Sequence, residues 1–126
     1  VYKRQRPDFT AKETGLDTFI DWDKDFVGKN FAKKDESKNK LNPLIVETND
    51  IDVTNNEAVL KNGKAIGYVT SGGFAHFTNK SVAFSYLDSR EINSEKGIQV
   101  EINGDLFNSS VIKSPLYDPT GQKMRS

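Results

Sequence analysis

Two Asn-Gly pairs constrain this chain more than any other feature. Asn62-Gly63 separates EAVL from the apolar run Ala65–Val69, and Asn103-Gly104 separates IQVEI from LFNSSVIK. A two-residue hairpin turn needs positive φ at both central positions, which Asn and Gly tolerate best, so each pair predicts a tight antiparallel hairpin. Around them the apolar residues recur with the period of a strand. IQVEI alternates, and SVAFSYL sets Val82, Phe84 and Tyr86 on one face against Ser81, Ala83 and Ser85 on the other. Large aromatics belong in a core by default, so Phe84, Tyr86 and Phe107 are expected there. Ser71, Gly72 and Gly73 predict a close backbone approach or a sharp bend in a strand. Leu44–Thr48 reads as a further strand beginning after Asn42-Pro43, and NDIDVTNN as a polar loop. Six or so short strands with frequent turn signals predict a mainly β domain, a barrel or a sandwich.

The first 40 residues read differently. Residues 1–15 are charged and turn-rich, and Pro7 disfavours helix at Arg6. GLDTFIDW fits neither period and suggests a short strand or turn. Beyond it, Phe26, Val27, Asn30 and Phe31 fall at helical spacing, with Asp25 as the expected N-cap. Gly28 in that turn costs about 1 kcal/mol relative to Ala, which suggests a close-packing role. KKDESKNK is a solvated connector. Near the other end, Pro115 and Pro119 bracket a closing segment.

Composition removes several functions. Eighteen Lys and Arg balance eighteen Asp and Glu, so the basic excess of a nucleic-acid binder is missing. With no cysteine there is no disulfide, thiolate nucleophile or Cys-ligated zinc. No run approaches the roughly 20 apolar residues of a membrane span, and the first residues lack a signal-peptide core. Neither nucleic acid nor membrane is an expected partner, and a cytoplasmic or matrix location is the default. Because the chain starts at Val1 with no coherent pattern in VYKRQRPDF, it reads as an excerpt of something longer.

Few residues carry chemistry on their own. His76, the one histidine, has no nucleophile or orienting carboxylate set beside it, so a structural role is expected. Asp21, Asp23 and Asp25 alternate, as do Asp50 and Asp52. Counted from Asp50, however, the Gly and Glu positions of a calcium loop hold Asn55 and Lys61. Gly72 and Gly73 match neither phosphate-loop pattern, and the residues after them read as strand rather than helix, so a bend in a strand is the better reading. Tyr117 and Arg125 in the closing segment could cover a flat, carboxylate-bearing ligand, Arg125 gripping the carboxylate bidentately. They could equally pack as a polar tail.

Four fragments in order, Glu13-Thr14-Gly15-Leu16, Lys24-Asp25-Phe26-Val27-Gly28-Lys29, Gly67-Tyr68-Val69-Thr70-Ser71-Gly72 and Pro115-Leu116-Tyr117-Asp118-Pro119, resemble the C-terminal region of the glycine-cleavage T-protein (aminomethyltransferase) family. Gly73-Phe74-Ala75-His76 followed by Lys80-Ser81 looks more like the branch fused to dimethylglycine and sarcosine dehydrogenases than like the free T-proteins. The resemblance implies a small antiparallel β-barrel over residues 41–126. Residues 1–40 would be the tail end of the folate-binding domain, with one helix. It further implies a C-terminal fragment of a tetrahydrofolate-dependent one-carbon transferase that forms 5,10-methylene-tetrahydrofolate from an N-methylated amine, with FAD in the missing part of the parent. Lys24 falls near a basic position of the family that meets the folate glutamate tail. With Tyr117 and Arg125 it makes up the expected cofactor-binding set. No catalytic or metal-binding residue is expected in this piece, which would not be active alone. The alternatives are a non-catalytic β-barrel binding or scaffold module, or the same barrel in a free T-protein or a sulfonium demethylase.

Overall fold

The computed structural model describes residues 8–48, 51–92 and 97–126. Pro7, Asp50 and the middle of SREINSEKG therefore lie outside the described residues. Six strands form the body: β1 (Asn39–Val46), β2 (Ala58–Lys61), β3 (Lys64–Ala75), β4 (Lys80–Asp88), β5 (Ile98–Ile102) and β6 (Asp105–Val111). All neighbours run antiparallel in the order β1-β4-β3-β2-β5-β6, and β6 pairs back onto β1 to close a barrel. Closure removes the free sheet edges that a six-stranded open sheet would expose.

Both hairpins form where Asn-Gly predicts them. Asn62 and Gly63 have φ of 52° and 78°, Asn103 and Gly104 of 52° and 88°, the positive pair that a twist-matched two-residue turn requires. The ladder closes at Lys61 opposite Lys64 and at Ile102 opposite Asp105.

The interior is filled by alternate residues. Leu44, Val46, Val59, Val69, Leu87, Ile98, Val100 and Ile102 are buried and form one cluster, and Phe107 and Val111 pack against it. On β4 the inward face is not the one expected. Ser81, Ala83, Ser85 and Leu87 are buried, whereas Val82 and Phe84 are half-buried on the outside. Tyr86 is buried too, but by alternation it also points outward, stacked on Phe9 at 4.4 Å. A narrow barrel has room for only some large side chains, so small residues on β4 make space for the aliphatics of the other strands.

Other differences trace to long-range contacts. β1 begins at Asn39 and runs through Pro43. The Pro43 carbonyl accepts the Ile112 amide at 2.9 Å, so its missing N–H faces the same side, where the β1–β6 ladder has not yet begun. The polar loop after β1 contributes Val53 to the core, and the β3 backbone at Gly72 makes room for it. A Cβ there would lie 2.8 Å from that of Val53. Gly73 meets nothing, so the close approach belongs to Gly72 alone. Gly67 is tighter still, since a Cβ would overlap the Tyr86 carbonyl and come within 2.9 Å of Leu87 Cδ2. Register shifts between Val69 and Ser71, so the Ser-Gly-Gly segment is a bulged continuation of β3 rather than a loop.

Before the barrel, GLDTFIDW makes a 3-10 turn at Asp17–Phe19, and α1 (Lys29–Lys33) comes next. The helix starts later than expected, and Asp25 is not its cap. Gly28 occupies the N-cap position at φ 86°, with no side-chain cap. Gly28 therefore serves a left-handed backbone position, not close packing, since nothing lies within 4 Å of a Cβ there. The segment is tied to the barrel by the Leu41 amide donating to the Glu13 carbonyl at 2.7 Å and Ser89 to Lys38 at 2.8 Å. A four-residue α2 (Gln122–Arg125) ends the described chain.

Candidate functional site

A cavity of about 1090 Å³ lies on the outer face of the barrel. Its floor is Pro43 of β1 with Val82 and Phe84 of β4, the large residues that alternation turned outward. One wall is the turn after β3, with His76 and Phe77, and the other is the irregular stretch of residues 112–117 that follows β6. The lining is mostly apolar, with Asn42, His76, Thr78, Lys113 and Ser114 as its polar members, the mixture common in small-molecule sites.

The closing segment is held to this mouth by aromatics and one cation. Tyr117 packs on Phe77 with ring centroids 4.3 Å apart. Lys123 of α2 donates to the Tyr117 hydroxyl at 3.1 Å. Its ammonium lies 5.0 Å from the Tyr117 ring centre and 5.9 Å from that of Phe77, within range of a cation–π attraction. α2 stands in place because the Asp118 carboxylate accepts the Lys123 and Met124 amides at 3.1 and 3.4 Å, an anion at the positive end of a helical turn. Neither Phe77 nor Lys123 is singled out by sequence reasoning. Their partner Tyr117 lies 40 positions beyond Phe77, and no local pattern brings the two together.

Of the three expected cofactor-binding residues, Tyr117 alone lines the cavity. Arg125 is exposed, its Nε donating to the Gly121 carbonyl at 3.2 Å and its Nη2 to Thr120. Lys24 is exposed in the N-terminal segment, 3.6 Å from the Asp21 carboxylate. His76 sits in the cavity wall edge-on to Phe74, at 5.1 Å.

A smaller cavity of about 350 Å³ lies where the 3-10 turn meets α1, between Ile20, Trp22 and Ala32. Asp35 lines it, and the Ser37 hydroxyl, then Thr10, hold its carboxyl below the usual range by hydrogen bonding to the charged form. Lys12 donates to the Asp35 carbonyl. These contacts fasten the segment to itself.

A family profile described as the glycine cleavage T-protein C-terminal barrel domain matches residues 40–118, which span all six strands and the cavity wall. The chain belongs to that family. Among curated relatives of this barrel domain, the mitochondrial dimethylglycine dehydrogenases of Homo sapiens and Rattus norvegicus are 31% and 34% identical over 125 residues. Each match covers 94% of this chain but only 14% and 15% of those proteins. The aminomethyltransferase of Aquifex aeolicus is 28% identical, covering 91% of this chain and 33% of its own length. This chain thus spans about a seventh to a third of the relatives it matches. The crystal structure of the glycine cleavage system aminomethyltransferase T from Bartonella henselae superposes with a TM-score of 0.77 over 90% of this chain and 33% of that one, at 23% identity. It shares the barrel fold. Among the described residues, no helix is long and apolar enough to cross a membrane.

Proposed function

We propose that this barrel domain is the C-terminal part of a tetrahydrofolate-dependent one-carbon transferase of the dimethylglycine or sarcosine dehydrogenase type. The observation that carries the reading is the match to the mitochondrial dimethylglycine dehydrogenases across 94% of the chain, which extends well before the barrel itself. In this reading residues 1–40 end the folate-binding domain, residues 41–126 form the barrel, and the barrel closes one side of the folate site. A flavin would reside in the polypeptide beyond this chain and would oxidise the N-methylated amine. Tetrahydrofolate would supply the two nitrogens that accept the released one-carbon unit as 5,10-methylene-tetrahydrofolate.

The residues present suit such a cofactor. Tyr117 and Phe77 offer ring faces at an apolar mouth, where a flat heterocycle or benzoyl ring can stack. Arg125 spends two of its five N–H groups on tail carbonyls, leaving donors for a carboxylate. Lys24, with its ammonium in solvent, would meet the glutamate tail.

The parent protein tests this directly. Incubated with an N-methylated amine and tetrahydrofolate, it should form 5,10-methylene-tetrahydrofolate, and Arg125→Ala should weaken folate binding about tenfold, the worth of one charge-assisted hydrogen bond. A parent that never transfers a one-carbon unit to folate would overturn the reading. A profile of methylated substrates then separates this branch from a free T-protein or a sulfonium demethylase.

A further inference from the structure

The last turn of the chain holds one cation against one phenol. Lys123 Nζ donates to the Tyr117 hydroxyl oxygen at 3.1 Å, a full hydrogen bond by length, and lies 5.0 Å from the centre of that ring. Tyr117 in turn packs on Phe77, and both rings line the cavity. The turn itself is arranged to bring Lys123 back to Tyr117. Asp118 sits in the left-handed region at φ 45°, uncommon for a residue with a side chain, and its carboxylate accepts the Lys123 amide at 3.1 Å. Arg125 closes the same turn from the other side, donating to the Gly121 and Thr120 carbonyls.

The direction of the Lys123–Tyr117 bond has a chemical consequence. A phenol can donate or accept, whereas an ammonium can only donate. The Tyr117 oxygen is therefore the acceptor here, and its own proton is left for another group. Among the described residues no acceptor takes that proton. No Asp or Glu lines the cavity either, where His76 and Lys113 are the ionisable neighbours of Tyr117. An O–H whose oxygen already accepts from a cation is polarised into a stronger donor.

We infer that Lys123 is a positioning residue for ligand binding: it fixes the Tyr117 hydroxyl as a donor, so that the molecule filling the cavity must present an acceptor oxygen to it, a carbonyl or a carboxylate. This rests on the reading of the cavity mouth as part of a folate site, and it adds a rule of selection to that site. A flat ring that only stacks on Tyr117 is not enough.

Tetrahydrofolate titration of the intact parent tests this through a double-mutant cycle. Lys123→Met, which keeps a side chain of similar length and removes the donors, should weaken binding about fivefold, the worth of one hydrogen bond. Tyr117→Phe should weaken it at least as much, and Lys123→Met should add almost nothing in that background. Lys123→Arg should restore most of the affinity, because guanidinium is again a pure donor. A brace that merely steadied the tail would lower the melting temperature without touching affinity. Unchanged affinity in Lys123→Met, or the same loss with and without the Tyr117 hydroxyl, would overturn the inference. A readout without folate keeps the two claims apart. Acetic anhydride labelling of the unliganded parent, read by peptide mass spectrometry, should modify Lys123 about fivefold faster in Tyr117→Phe than in the unaltered protein. Equal labelling would overturn the inference even where folate binds. Faster labelling in a parent that binds no tetrahydrofolate would uphold the pairing and overturn its folate ligand.

Discussion

The barrel and the segment before it obey different rules. Among the described residues, every fully buried hydrophobic lies at or beyond Leu44, while residues 8–43 contain none. The barrel closes its own hydrogen-bond ladder and fills its own interior, so its stability is written in its own contacts. The preceding segment is held by a few backbone hydrogen bonds and ring contacts, and Phe19, Val27 and Phe31 are exposed. The difference teaches that the two parts are held differently, the barrel by its own ladder and interior and the segment by a few contacts at its edge.

Substitutions sharpen that contrast, beginning with the largest effect. Leu87, wholly buried between β1 and β3, should lose about 3 kcal/mol of unfolding free energy on change to Ala. Gly67→Ala should cost a similar amount by forcing β3 away from the Tyr86 carbonyl. Phe31→Ala, by contrast, should change the unfolding free energy of this chain by no more than about 0.5 kcal/mol. Equal losses at Leu87 and Phe31 would erase the distinction.

A smaller effect runs the other way. Ser85 is buried on the inner face of β4, and its hydroxyl has no hydrogen-bond partner. Ser85→Ala removes that unpaired group and should stabilise the barrel by about 1 kcal/mol in chemical denaturation. A loss would show that the hydroxyl is satisfied in solution.

The smallest effect is a titration. Hydrogen bonds from the Arg90 side chain, then its amide, hold the Asp88 carboxyl at about 2 against an ordinary 3.8. Because the folded value is depressed, the associated stability is present above the unfolded pKa of 3.8 and is lost as pH falls toward 2. Carboxyl chemical shifts should track that titration, and Arg90→Ala should return it toward the ordinary value.

Legibility in the sequence depended on range. Asn62-Gly63 and Asn103-Gly104 announced their hairpins because a two-residue turn is decided by the φ of two adjacent residues. Strand periodicity was equally plain, but which side of SVAFSYL faced inward was not, because that depends on how many large residues the other strands bring. Pro43 looked like a boundary since its permissive position is defined by where a strand more than 60 residues later stops pairing. Val53 was hidden in a polar loop, being one valine among acids and amides. At the candidate site, Tyr117 could be read from its place in a family-like fragment. The Phe77 and Lys123 that hold it could not, because only the folded tail brings them to it.

The central claim is that this barrel is completed by other polypeptide into a folate site. Calorimetric titration of the intact parent with tetrahydrofolate tests it most directly. The expected result is binding with a Kd on the order of micromolar, weakened when Tyr117 and Arg125 are both changed to Ala. A flat titration, or binding that ignores both changes and Lys24→Ala as well, would contradict it.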